Sequence, residues 1–115
     1  MSRPKKIFDY LAYHRDYMKK YNQTLVGKYT HYKIRATKDK MEWKIDKKDF
    51  EKLWKKPCYY CGAFIETIGI DRINNKIGYL KNNIVPCCAW CNKAKLELLP
   101  EQFIEHCKKV ASFQQ

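Results

Sequence analysis

Two Cys-x-x-Cys pairs, Cys58-Tyr-Tyr-Cys61 and Cys88-Ala-Trp-Cys91, are separated by 26 residues and constrain this chain more than any other feature. Each pair forms one tight knuckle, and a tetrahedral ion joins two distant segments, so the spacing predicts a four-thiolate zinc site. A disulfide framework suits small secreted chains, and no apolar leader is visible here. A thioredoxin-like redox pair calls for one such motif after a strand in a βαβ pattern, and there are two motifs and no such pattern. Cys87 is adjacent to Cys88 and could exchange with it, but only Cys88 completes a Cys-x-x-Cys with Cys91. Cys107 is left over, expected as a half-buried thiol on a helix face.

At 115 residues the chain can build one modest core, for which a metal staple is useful. Its formal net charge is +12, unevenly spread: residues 1–57 hold 17 Lys+Arg against 7 Asp+Glu, whereas residues 58–115 hold 7 against 5. Such a surplus, with nine tyrosines and three tryptophans, points to a polyanion, because Lys and Arg displace counterions from phosphates. The plainer reading is a solvated, solubilising surface. No apolar stretch approaches the length of a membrane span, and no membrane partner is expected. Nothing resembles a signal peptide, so an intracellular, reducing location is expected, virion association included.

From Lys5 to Leu25, Ile7, Leu11, His14, Met18, Tyr21 and Leu25 recur at helical spacing, with Lys19 and Lys20 off the stripe. His14 is expected to pack in a core or on a partner. Gly27 is read as the interruption. A second helix follows with Tyr29, Tyr32 and Ala36 on one side and Lys28, Lys33 and Arg35 around it. Together these make a basic helical arm over residues 1–40. In the 41–115 domain, Glu42 to Ile45 alternates as a short strand, and Asp46 caps a helix that runs to Pro57. Thr67 to Ile73 reads as a strand, Asn74-Asn75-Lys76 with Gly78 as a hairpin turn, and Ile84 and Val85 lie on the returning segment. A helix from Ala89 carries Trp90, Ala94, Leu96 and Leu98 until Pro100 ends or restarts it. Phe103, Ile104, Cys107, Val110 and Phe113 share a face of the last helix.

The order strand, hairpin, knuckle and helix, with Asp71-Arg72, Gly78-Tyr79, Asn83, Cys88-x-x-Cys91-Asn92 and Lys95, resembles the HNH endonucleases with a ββα-metal core. More narrowly it resembles the zinc-stapled phage and viral branch that includes the endonuclease VII resolvases. The resemblance covers roughly residues 41 to 107. It implies that Asp71 and Asn92 hold a catalytic Mg²⁺ or Mn²⁺ ion, which leaves positions open for a scissile phosphate and the leaving oxygen. It also implies that Asn83 orients the base or its loop, and that Lys95, with Lys93 beside it, meets phosphate.

The general-base histidine of active members is Arg72 in this chain. An arginine stays protonated and is a poor proton acceptor, although it can clamp phosphate or stabilise developing charge. His31 belongs to the basic arm and His106 to the last helix, so neither obviously replaces it. Asp71 also has a bland reading as a salt bridge to Arg72 or a nearby lysine, and Asn83 and Asn92 have bland readings as a turn residue and a helix cap.

The expected fold is α+β: a zinc-stapled ββα-metal core with flanking helices and the basic arm. The expected function is nucleic-acid binding, DNA ahead of RNA, with metal-dependent phosphodiester hydrolysis carried by Asp71, Arg72, Asn83 and Asn92. The alternative is a non-catalytic ribosomal, packaging or virion component on the same scaffold.

Overall fold

The structure is a computed structural model in which residues 9–115 are described. Ile7, Lys5 and Lys6, assigned above to the first helix, lie outside those residues. The order of elements is α1 (Tyr10–Tyr21), α2 (Leu25–Lys38), α3 (Lys47–Glu51), β1 (Ile70–Arg72), a single 3-10 turn (Lys81–Asn83), β2 (Ile84–Pro86), α4 (Ala89–Lys95) and α5 (Pro100–Gln114).

The break between the first two helices falls at residues 22–24, not at Gly27. Thr24 caps α2, its hydroxyl accepting from the Gly27 N–H at 3.0 Å. Gly27 lies inside α2, buried, because the corner brings Tyr21 against it: a Cβ there would overlap the Tyr21 carbonyl oxygen. The glycine that reads as a helix breaker serves close approach instead.

The two basic helices behave differently. α1 buries no residue, and His14 is exposed with its ring stacked 5.8 Å from Tyr10, so of its two expected places, a core or a partner surface, the core is not the one it takes. α2 lays Tyr29 and Tyr32 edge-on against Phe50, at 5.4 and 5.8 Å between ring centroids. The core they cover is small: Ile45, Phe50, Ile68, Ile70 and Ile84, with Trp43, Leu53, Trp54 and Tyr79 packed around it. The radius of gyration is 19.0 Å, against about 13 Å for a compact chain of this length, which fits an α1 that packs nothing away.

Asp46 caps α3 through a reciprocal box with Asp49, the two backbone N–H groups donating to the opposite carboxylates at 2.8 and 3.0 Å. The helix ends at Glu51 and does not run on to Pro57; Leu53 and Trp54 follow in turns. The Glu42 to Ile45 strand reduces to one parallel bridge, Trp43 to Tyr79. It is held tight by Gly78, where any Cβ would overlap the Glu42 backbone. The Thr67 to Ile73 strand shortens to three residues that pair antiparallel with β2, Asp71 opposite Val85. α4 stops at Lys95, where Leu96 turns to φ 50°, and Pro100 restarts the chain as the first residue of α5. Of the last helix's stripe only Phe103 is buried; Ile104, Val110, Phe113 and Cys107 are exposed, so Cys107 is not half-buried.

Phe50 is fully buried at the centre of this core, so Phe50→Ala is expected to cost about 3–5 kcal/mol and leave the chain largely unfolded. Gly27→Ala should instead pry α1 from α2 while the core still melts cooperatively. Thermal unfolding by circular dichroism with limited proteolysis separates the two outcomes.

Candidate functional site

The first knuckle follows α3. The Cys58 carbonyl accepts from the Gly62 N–H at 2.9 Å, and Gly62 sits at φ 75°, a left-handed turn that glycine adopts without strain. The second knuckle opens α4, with Cys88 as its N-cap and the Cys91 N–H donating to the Cys88 sulfur at 3.4 Å. Tyr59 N–H donates to the Pro86 carbonyl at 2.8 Å and pins the first knuckle to β2.

The four sulfurs of Cys58, Cys61, Cys88 and Cys91 lie within 4.8 Å of one another, with Cys61 and Cys88 3.7 Å apart. A tetrahedral ion about 2.3 Å from each sulfur spaces the sulfurs about 3.8 Å apart, so the cluster fits such an ion and can hold it. Burial opposes the Cys58 thiolate, but the backbone N–H groups of Cys61, Cys88 and Tyr60 outweigh it and draw that thiol down to about 6. Cys87 stays out of the cluster. It is buried and its thiol donates to the Cys88 carbonyl, while the Cys88 sulfur lies with those of Cys58, Cys61 and Cys91, so Cys88 is the member of that pair that belongs to the cluster.

Asp71 is buried on β1 and both its oxygens are engaged. The Tyr60 hydroxyl donates to Oδ2 at 2.8 Å, while the Lys95 ammonium lies 3.3 Å from Oδ1 and 3.2 Å from Oδ2. Burial and then the Asp71 hydrogen bond push the Tyr60 phenol well above the usual tyrosine range, which keeps it a donor. Lys95 has no exposed surface at all, so the ammonium expected on phosphate is instead sealed inside on Asp71. An ammonium is tolerated there because the carboxylate compensates its desolvation.

Arg72 and Asn83 converge on the loop between the strands. The Arg72 guanidinium donates to the Asn75 and Ile77 carbonyls at 2.8 and 3.2 Å and lies 5.4 Å over the Tyr79 ring. Asn83 is buried; its carbonyl accepts from the Asn74 N–H at 2.9 Å and its amide donates to the Gly78 and Asn74 carbonyls at 2.9 and 3.1 Å. Both side chains thus clamp residues 74–78 from inside.

Asn92 is apart from this group. It is exposed on α4 and lines an open cavity of about 380 Å³ with Tyr32, Phe64, Glu66, Gly69 and Cys87; Asp71 does not line that cavity. Lys93, Lys19 and Lys20 are exposed, whereas Lys33 and Arg35 lie over the Tyr29 and Tyr32 rings at 6.0 and 5.6 Å, and Lys28 is half-buried. Tyr60 is the residue that sequence reasoning passed over. Lys95 carried a signal, since Cys88, Cys91 and Lys95 fall at i, i+3 and i+7 and therefore share the inward face of α4.

No protein-family model matches the chain. It is 42% identical over 96 residues to an uncharacterised protein of Acanthamoeba polyphaga mimivirus, across 82% of this chain and 18% of that protein, so it spans under a fifth of that relative's length. Among solved structures it is similar to the rare-cutting HNH restriction endonuclease PacI, with a TM-score of 0.63 over 77% of this chain and 78% of that one, at 17% identity. The chain therefore has an HNH-type α+β fold, with a cysteine cluster compatible with zinc.

Lys95→Met strands a buried carboxylate, and a loss of about 3–5 kcal/mol is expected in denaturant unfolding. The double variant Asp71→Asn/Lys95→Met should recover a good part of that loss. A double variant no more stable than Lys95→Met would show that the pair is not the unit of stabilisation.

Proposed function

We propose that this chain is a nucleic-acid-binding protein on the HNH fold, its cysteine cluster filled by a structural zinc ion. The observation that carries the binding is the charge: exposed Lys19, Lys20, Lys33 and Arg35 on the helices that precede a core shared with a DNA-perturbing endonuclease. On this reading residues 1–40 supply the basic face and residues 41–115 the stapled domain, α2 joining the two through Tyr29 and Tyr32. Four soft thiolates in tetrahedral array select zinc and close its shell, leaving no position for substrate. A reducing, intracellular setting keeps such thiolates competent, and the mimivirus relative favours a viral protein.

Binding stands ahead of hydrolysis because of how Asp71 and Arg72 are employed. A catalytic Mg²⁺ or Mn²⁺ on Asp71 requires release of a fully buried Lys95, and Arg72, fixed on the loop carbonyls, accepts no proton. The second reading is a metal-dependent endonuclease. It is favoured by Asn92, exposed at an open cavity in the first turns of α4, where such a site needs access.

Metal analysis should give close to one zinc per chain, and Cys58→Ser or Cys91→Ser should lose both metal and cooperative unfolding. A folded, metal-free protein would refute the staple. Plasmid nicking in Mn²⁺ by wild type, Arg72→His and Asp71→Ala decides between the readings: binding alone gives none from any of them. Nicking by wild type that Asp71→Ala abolishes, in a variant that still holds zinc, establishes the endonuclease. A gain in Arg72→His on the order of a hundredfold marks a weakened centre lacking only its base.

A further inference from the structure

A second recess lies on the α2 side of the core, sharing no lining residue with the cysteine cluster or the Asn92 cavity. It is an open groove of about 710 Å³. Four lysines line it from four separate segments: Lys33 on α2, Lys40 in the turn after it, Lys44 beside the Trp43 bridge and Lys81 on the 3-10 turn. Two carboxylates, Asp46 and Asp49, also line it, but each accepts a backbone N–H in the α3 capping box. Asp49 also lies 3.7 Å from Lys81. Lys44 in turn lies 3.1 Å from Glu42 outside the lining, an exposed pair that solvent screens, so the lining itself stays net positive and its acids are committed to holding a helix.

Lysines alone would suit any polyanion. The lining between them is more selective, because Tyr29 and Trp43 supply aromatic surface there. Their rings meet edge-on at 5.5 Å, the Trp43 indole N–H donating to the Tyr29 hydroxyl at 3.4 Å and that hydroxyl to the Ile45 carbonyl at 3.1 Å. A platform already locked loses little freedom on receiving a ligand. Bases in a duplex hide their faces in the stack, whereas unpaired bases offer theirs to aromatic side chains.

We propose that this groove takes single-stranded nucleic acid, its phosphates on Lys33, Lys40, Lys44 and Lys81 and a base against Trp43. The proposal rests on the nucleic-acid-binding reading above and specifies the form of strand.

The test is fluorescence anisotropy with zinc-loaded full-length protein, comparing an oligothymidylate of about 12 nucleotides with a blunt duplex of equal length. The single strand should bind about tenfold tighter at equal salt. Lys33→Gln/Lys44→Gln should cut that preference at least about fivefold and lower the salt slope for the single strand by about one. Lys19→Gln/Lys20→Gln, on α1 away from the groove, should weaken both ligands alike and keep the ratio. The oligonucleotide should also quench tryptophan fluorescence, and Trp43→Phe should abolish the quenching although Trp54 and Trp90 are still present. Quenching unchanged in Trp43→Phe, or a strand preference untouched by Lys33→Gln/Lys44→Gln, overturns the groove. Duplex bound as tightly as single strand also overturns it but leaves nucleic-acid binding standing; failure of both ligands to bind removes both.

Discussion

Four cysteine sulfurs gathered from two knuckles into one cluster that can hold a single ion are the constraint on which the rest of this fold depends. The core has five buried apolar side chains at its centre, and among the described residues the sheet is two strands of three residues. Neither is large enough to order the segments around it, since an isolated two-stranded hairpin is marginal in water. The cysteines occupy the two places where a cross-link helps most, before β1 and directly after β2. They leave α4 starting on a cysteine of the cluster, with its inward face set by Cys88, Cys91 and Lys95.

From that anchor, polar side chains build an interior that apolar ones would fill in a larger domain. Tyr60 from the first knuckle, Asp71 from β1 and Lys95 from α4 meet in one buried cluster, so three segments are tied by two contacts. Arg72 and Asn83 do the same for the loop between the strands. Asp71, Arg72 and Asn83, three of the four residues to which the resemblance would assign hydrolysis, are here also ones that hold the scaffold together, whereas Asn92 is not. Any chemistry at Asp71 would have to be reconciled with the desolvated lysine it neutralises.

Much of this was legible because the signals are local. The cysteine spacing, the Asp46 cap and the helix from Ala89 each rest on a few neighbouring residues. Gly27 reads as the break from sequence alone, whereas its reason, contact with the Tyr21 backbone, exists only once two helices meet. The strands were overread because Thr67, Ile68 and Ile73 favour extended backbone while only residues 70–72 find a partner. The periodic stripes on α1 and α5 were correctly helical, but periodicity does not reveal whether anything covers the face. As for the site, the sequence singles out Asp71, Arg72 and Asn83 by type and position. What each of them bonds to is decided by tertiary neighbours.

The knuckles flank a hairpin whose strands cannot hold together unaided, and this links two clocks. With the metal bound, the chain between Cys61 and Cys88 is a closed loop, and the entropy of bringing β1 to β2 has already been spent. With the metal gone, three residue pairs must meet that cost by themselves. With an ion in the cluster, the strand amides would exchange with solvent at a rate governed by the lifetime of the metal–thiolate bonds rather than by fraying of the sheet. The hairpin and its clasp open as one cooperative unit.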